Sequence, residues 1–497
     1  MKVSSIYMLC KLTFIALSLT SLFACKNSVD DEESNNQTSE AENENVTITS
    51  GYVVINGASH ALSANEFFSA LDGGEFSPTI ANGTLTATES FYFKAPVENG
   101  NYKVVLNTNA TSVISECISE DVPYYFVNSA GTQIEKTYSP QKFSNGQAYI
   151  GITKDITSGE AFEVAVCDGV LDLEFVHSSS DITISGITIE KEKLSARSKP
   201  YLLAIGDSTL ALGDNTIKSS STYCSWGASI SNGYVSLPST LAGFVNCGQS
   251  GGDVVTIYTD ARIEKLLLNC RPGDYVSVNI GINNNKSYTI GGQSVVKSGS
   301  LAAMGAILEK YLIDAVKERG GIPFITTITA QGPDKSSETA ESNSGVYNYA
   351  ETEITSAYSN SYASSSLFGS EYDLFKSSGK AYYAGVEYSV GNKIPATTWI
   401  NSRHTNPYNI ALIDIANYYE CAIVDLGVYG EKYLNEHLSS AEDFAIVRDS
   451  YYTDKHHYQR TWGNILATYM LDCVKEMISG SYCYPYTDYE PNYCLSR

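Results

Sequence analysis

The chain has 497 residues, a net charge of -23 and 43% hydrophobic residues. That length exceeds the roughly 100–200 residues of one domain, so two folded units with unstructured ends are expected, each with enough apolar residues for a core. The acidic balance, with no cluster of Lys or Arg, excludes nucleic acid as a partner, because phosphate binding needs concentrated positive charge.

At the start, Lys2 and Lys11 precede the apolar run "LTFIALSLTSLFA", which is too short to span a bilayer comfortably. Residues 1–25 therefore read as a signal peptide. Leu22-Phe23-Ala24-Cys25 resembles a bacterial lipobox, which implies that Cys25 is lipidated and becomes the mature N-terminus. The expectation is an exported bacterial lipoprotein, anchored to a membrane through this lipid alone and facing the periplasm or the cell surface. Phe23 is larger than the usual residue of that pattern, so plain secretion stays open. Residues 26–45 form an acidic linker, with seven acidic and no basic side chains between 27 and 45 and too little apolar surface to offset the entropy of ordering.

Of eleven cysteines, Cys10 and Cys25 fall in this leading segment. Export permits disulfides, and Cys117 with Cys167, alone in their region, are the first expected pair. The other seven are an odd number, so at least one free thiol is expected. None has the close paired spacing of a zinc site, and no metal is expected.

Residues 46–196 read as a β-sandwich. Short runs rich in strand formers, such as "GYVVING", "SFYFKAP", "AFEVAVCDG" and "LDLEFVHSS", are punctuated by Asn-Gly and Asp-Gly turns without a helical period. "FKAPVENGNYKVVL" resembles a phrase of galactose-binding-like jelly rolls; the likeness concerns fold and does not extend to sugar binding.

Residues 199–480 change character. Apolar runs ("YLLAI", "YVSVNI", "IPFITTI", "CAIVDL") alternate with longer amphipathic ones ("DARIEKLLLN", "LAAMGAILEKYLIDAVKERG", "WGNILATYMLDCVKEMI"). This predicts parallel strands joined by helices, hence an α/β fold: a three-layer α/β/α sandwich with a parallel sheet, preceded by the all-β jelly-roll-type domain. Residues near 330–400, rich in Ser, Tyr and Gly, are too long for an ordinary connection and read as an insertion. The tail 481–497 carries Cys483 and Cys494.

Sites in such sheets lie at the carboxyl ends of strands. Ser208 stands there in "YLLAIGDST". A serine hydroxyl needs a base to take its proton and donors for the oxyanion that forms. Asp454 precedes His457 by three residues in "YYTDKHHYQ", a spacing that lets a carboxylate orient the ring while its other nitrogen faces the serine. Gly248, Gly251 and Gly252 follow the second strand in "FVNCGQSGGD", and Asn283 follows the third in "GINN". A glycine N–H and an asparagine amide there are candidate donors, although loops favour both residues anyway.

In this order the blocks "GDST", "NCGQSGGD", "GINN" and "DKHH" resemble the SGNH or GDSL-type hydrolase family. The resemblance implies Ser208 as nucleophile, His457 as base and Asp454 as its orienting acid. The implied oxyanion hole is Ser208 N–H, Gly251 N–H and the Asn283 amide. "SWGASI", "RPGDYVSVNIGINN" and "AVKERGGIPFITT" further resemble the rhamnogalacturonan acetylesterase branch, and Thr209 after Ser208 points the same way. Asn284 stands where the family has Asp, and Gly463 comes one residue late when counted from His457, which leaves His456 as an alternative base.

The implied function is an exported esterase that removes acetyl groups from a plant-type polysaccharide through an acyl-enzyme. It would act without a cofactor, as a monomer, with the acetylated polysaccharide as partner. A lipase or thioesterase on other short acyl esters, or a non-catalytic glycan-binding surface lipoprotein, are the alternatives.

Overall fold

A computed structural model describes residues 50–62, 65–127, 133–140, 142, 146–211, 223–281, 283, 288–290, 293–295, 301–329, 347–348, 352–353, 380–383, 386–389, 391, 393–394, 398–399, 412–413, 415–416, 418–437, 446–453 and 457–483. Cys25, Asn284, His404, Asp454, His456 and Cys494 lie outside them. Within them the chain is a mixed α/β protein with several sheets.

The first part of the chain builds two sheets over one core. A seven-stranded sheet runs in the order Ala161–Val166, Gly100–Thr108, Ile182–Lys191, Tyr52–Ile55, Ala58–Ala61, with Thr84–Ala87 and Thr79–Ala81 attached beside Ile182–Lys191. A five-stranded sheet runs Ile152–Asp155, Ser112–Ser115, Val170–Phe175, Phe91–Pro96, Phe68–Ala70. Phe91, Phe93, Leu171, Leu173 and Phe175 of the smaller sheet meet Val104, Leu106, Ile184, Ile187 and Ile189 of the larger one. Residues alternate across a strand, so Asp172 and Glu174 in "VLDLEF" point away from that core. A period-two reading would leave them in water, yet both are buried. Asp172 Oδ1 accepts the Cys117 N–H at 2.8 Å, and the Cys117 thiol lies 3.9 Å from Glu174 Oε2.

Burial of these carboxyl groups has a consequence for stability. It raises the carboxyl groups of Asp172 and Glu174 to about 7 and that of Glu309 to about 8, and it also pushes that of Glu116 well up from its ordinary value, with Asp172 adding to the effect. Unfolded carboxyls titrate near about 4, so the folded chain holds protons that the unfolded chain releases. The stability this linkage carries is complete below about pH 4 and lost as pH rises through about 7 to 8. The urea midpoint is accordingly expected to fall between about pH 5 and about pH 8, and Asp172→Asn with Glu174→Gln should flatten the dependence. A wild-type midpoint that climbs with pH would contradict it.

The second part builds a five-stranded parallel sheet in the order Gly243–Asn246, Tyr201–Gly206, Tyr275–Asn279, Ile322–Thr326, Ala422–Val424. Successive residues of each strand feed opposite faces. Leu203, Ile205, Val276, Val278, Ile325 and Ile423 pack with the helices Val254–Thr259, Arg262–Asn269 and Leu301–Leu308. Leu202, Ala204, Tyr275, Phe324, Ala422 and Val424 pack with Trp226–Ser231 and Arg460–Ser479. Burial on both faces is why the inner strands read as largely apolar runs, and buried Ser277 among them has its hydroxyl 2.8 Å from that of Thr326. The fully buried Asp274 joins two strand entries, accepting from Tyr201 N at 2.7 Å, Arg271 N at 2.9 Å and Arg197 Nε at 3.2 Å.

Residues 47–213 and 219–497 form one compact unit. Ile118, Tyr149, Ile150 and Ile152 of the first part belong to the same core as Leu203 and Val276 of the second. Arg319, 3% exposed, crosses this seam: its guanidinium donates to Asn101 Oδ1 at 2.8 Å, Gly100 O at 2.9 Å and Val166 O at 3.1 Å, and to Ala315 O of its own helix at 2.9 Å.

The expected Cys117–Cys167 disulfide is absent; both residues are buried free thiols. They follow strands of opposite sheets, Ser112–Ser115 and Ala161–Val166. A disulfide needs Cα atoms roughly 4.4–6.8 Å apart with converging Cβ vectors, whereas the Cys117 thiol turns to Ile114 O and that of Cys167 to Ala165 O. Cys224, Cys247, Cys270, Cys421 and Cys473 likewise form no disulfide, while Cys483 is disulfide-bonded.

In the region read as an insertion, Tyr347–Asn348 pairs with Thr398–Trp399, Thr352–Glu353 with Lys393–Ile394, and Lys380–Tyr383 with Val386–Ser389, all antiparallel. Among the described residues, no helix is long and apolar enough to cross a membrane.

Candidate active site

In chain order the parallel strands are arranged 2-1-3-4-5, so the sheet reverses its winding between the first strand, Tyr201–Gly206, and the third, Tyr275–Asn279. Crevices open at such switch points outside the carboxyl ends of the strands. Ser208 lies two residues beyond the first of these strands, 6% exposed.

The turn that carries Ser208 is held from both sides. Leu210 N and Ala211 N donate to Asp207 O at 3.1 and 2.9 Å, and Thr209 N donates to Asp207 Oδ1 at 2.9 Å. The Thr209 hydroxyl sits 2.9 Å from Asp207 Oδ1 and 3.0 Å from Asn279 Oδ1, which ties the turn to the end of the third strand. Asp207, between glycine and serine, thus supports the turn from a buried position.

His457 arrives from the other end of the chain. Its Nε2 lies 2.9 Å from Ser208 Oγ. Its backbone is held on both sides: Tyr452 and Tyr458 form an antiparallel bridge, and Thr453 N donates to His457 O at 2.9 Å. Gln459 N donates to Tyr451 O at 2.8 Å, and helix Arg460–Ser479 begins directly after it. Gly463 in the first turns of that helix allows a close crossing, because a Cβ there would lie 2.1 Å from the Cys224 carbonyl oxygen. The crossing brings the His457 loop against residues 223–225, where Cys224 N donates to Tyr458 O at 2.9 Å. Asp454 and His456 lie outside the described residues, so the geometry concerns His457 itself.

The two candidate donor loops also meet. Gly251 has φ +71°, the left-handed region that glycine enters without strain. Asn283 Nδ2 donates to Gly252 O at 3.2 Å. An amide carries two hydrogens, and this bond uses one of them. Among the described residues, no group of three or more His, Cys, Asp or Glu side chains is placed to hold a metal ion.

One neighbour of the pair was not legible in the sequence. Tyr223 donates its hydroxyl to Ser208 O, and its ring meets that of His457 edge to face, with centroids 5.1 Å apart and planes at 83°. It stands in "STYCSWG" without periodic context, and only its closeness to the Trp-Gly stretch offered any signal.

No protein-family model matches the chain, and no curated protein sequence does. Among solved structures, a Bacillus subtilis protein is similar at 16% identity, with 86% of this chain and 99% of that chain covered and a TM-score of 0.36. A member of the lipolytic G-D-S-L family from Veillonella parvula is similar at 13% identity, covering 55% and 98%, with a TM-score of 0.26. A family two carbohydrate esterase from Clostridium thermocellum, solved with cellohexaose, is similar at 11% identity, covering 78% and 94%, with a TM-score of 0.25. Likenesses this distant decide nothing about reaction or substrate, which fall to the chemistry of the site.

Proposed function

We propose that the chain is an exported serine esterase that removes acetyl groups from a plant-type polysaccharide, in the manner of the rhamnogalacturonan acetylesterase-like branch of the SGNH hydrolases. The observation that carries this reading is the 2.9 Å approach of His457 Nε2 to Ser208 Oγ at the switch point of a parallel sheet. A nucleophile and base within hydrogen-bond reach, with donors on neighbouring loops, suit acyl transfer.

In the proposed reaction Ser208 Oγ attacks the acetyl carbonyl as His457 Nε2 takes its proton. The tetrahedral oxyanion is held by Ser208 N–H, Gly251 N–H and the Asn283 amide. The C–O bond to the sugar then breaks, and His457 returns the proton to the leaving hydroxyl. Water, deprotonated by the same histidine, frees acetate and restores Ser208. Asp454 is assigned the Nδ1 side of the ring. Export through residues 1–25 with a lipid on Cys25, a monomeric state and action without a cofactor belong to the same proposal. So does the division into sandwich and catalytic parts.

Acetate release from acetylated pectin, acetylated xylan and an aryl acetate tests the reading. Release from either polymer is the expected result. The net charge of -23 disfavours a polyanionic backbone, so a preference for xylan would place the substrate among neutral polymers. Turnover of the aryl acetate alone would demote the protein to a general short-acyl esterase, and no release from any of the three would overturn the proposal.

A further inference from the structure

We propose that Tyr223 is a positioning residue that aligns Ser208 and His457 with each other; the inference rests on the esterase reading of that pair. Two peptide planes flank the Ser208 Cα. The preceding one is fixed where Asp207 O accepts from Leu210 N and Ala211 N. The following one is fixed on its N–H side by Thr209 N donating to Asp207 Oδ1, and on its carbonyl side by the Tyr223 hydroxyl. Peptide units are rigid planes, so pinning both sets the backbone angles at Ser208. Its Oγ is then left with three staggered directions, one of which meets His457 Nε2.

The same side chain bounds the base. An imidazole on a loop turns about its two side-chain torsions, and the second of these is broad. The edge-to-face contact with the Tyr223 ring restricts that turn. Tyr223 is itself anchored through the backbone, since it bridges Gln459, two residues after His457. One residue therefore spans nucleophile and base, and its hydroxyl and ring have separable tasks: the hydroxyl holds the serine peptide, and the ring holds the histidine.

Two variants separate these tasks. Tyr223→Phe keeps the ring and removes the hydroxyl; Tyr223→Leu removes both. The readouts are labelling of Ser208 by a fluorophosphonate and the pH profile of kcat/KM for an aryl acetate, with thermal unfolding as the control for folding. Tyr223→Phe is expected to slow labelling and kcat by about 10-fold with KM little changed and the acidic limb of the pH profile in place. Tyr223→Leu is expected to slow both by about 100-fold and to move that limb, because the base has lost its ring contact. Wild-type labelling that Ser208→Ala does not abolish would defeat the esterase reading itself. Normal wild-type labelling with wild-type rates in both variants would overturn the role of Tyr223 alone. So would losses that merely track a lowered melting temperature while the pH profile stays fixed.

Discussion

Ser208→Ala is expected to lower kcat/KM for an aryl acetate by about 10⁴-fold or more while the melting temperature stays at the wild-type value. The serine is buried, but its hydroxyl faces His457, while the turn itself is held by Asp207, Thr209 and Tyr223. His457→Ala should cost about as much, because a hydroxyl without its base is a poor nucleophile at neutral pH. The two losses are not expected to add: the double variant should be no slower than about the worse single one, since either change removes the same proton transfer. Steady-state kinetics on the three proteins check this. A single variant that retains more than about a tenth of wild-type turnover would remove Ser208 or His457 from the chemistry.

The largest effect expected on stability belongs to Arg319, far in sequence from the strands of the first part that it touches. Arg319→Met keeps much of the aliphatic stem but strips partners from Asn101 Oδ1 and from the carbonyls of Gly100, Val166 and Ala315 in a seam closed to water. A buried acceptor left without its donor costs about 1–3 kcal/mol, and carbonyls with a second partner lose less, so a total of about 3–5 kcal/mol is expected. The positive charge also faces buried acids, and its electrostatic effect opposes the rise of the Glu116 carboxyl. Its loss therefore adds to the burden of the seam. Urea unfolding measures the change, and a shift below about 1 kcal/mol would show that water replaces the guanidinium. Because the two parts share one core, the transition is expected to stay single in wild type and variant.

Some of this was legible in the chain before any fold was known, for local reasons. Tyr201–Gly206 and Tyr275–Asn279 read as buried strands because parallel strands covered on both faces are apolar at most positions. Ser208 stood out because a polar residue directly after such a strand falls where crevices open. The strand patterns of the first part, with their Asn-Gly and Asp-Gly turns, were equally local.

Other features depended on which surfaces meet, and no local pattern records that. The alternation in "VLDLEF" places Asp172 and Glu174 on the side opposite the core between the two sheets, but only the fold decides that this side is dry, where Leu71, Cys117 and Ala148 pack. Cys117 and Cys167 looked like a pair because they share a stretch of sequence, whereas the two-sheet topology sends their thiols to different partners. Arg319 gave no signal as an arginine at a helix end, and Tyr223 none beyond its closeness to a Trp-Gly stretch. Their importance comes from contacts with Ser208, His457, Gly100, Asn101 and Val166, some of them more than two hundred positions away. The residue types needed for acyl transfer were thus present in the sequence as isolated blocks. Chain folding decided which of their atoms face one another, because hydrogen bonds and edge-on ring contacts act over a few ångströms of space and are blind to separation along the chain.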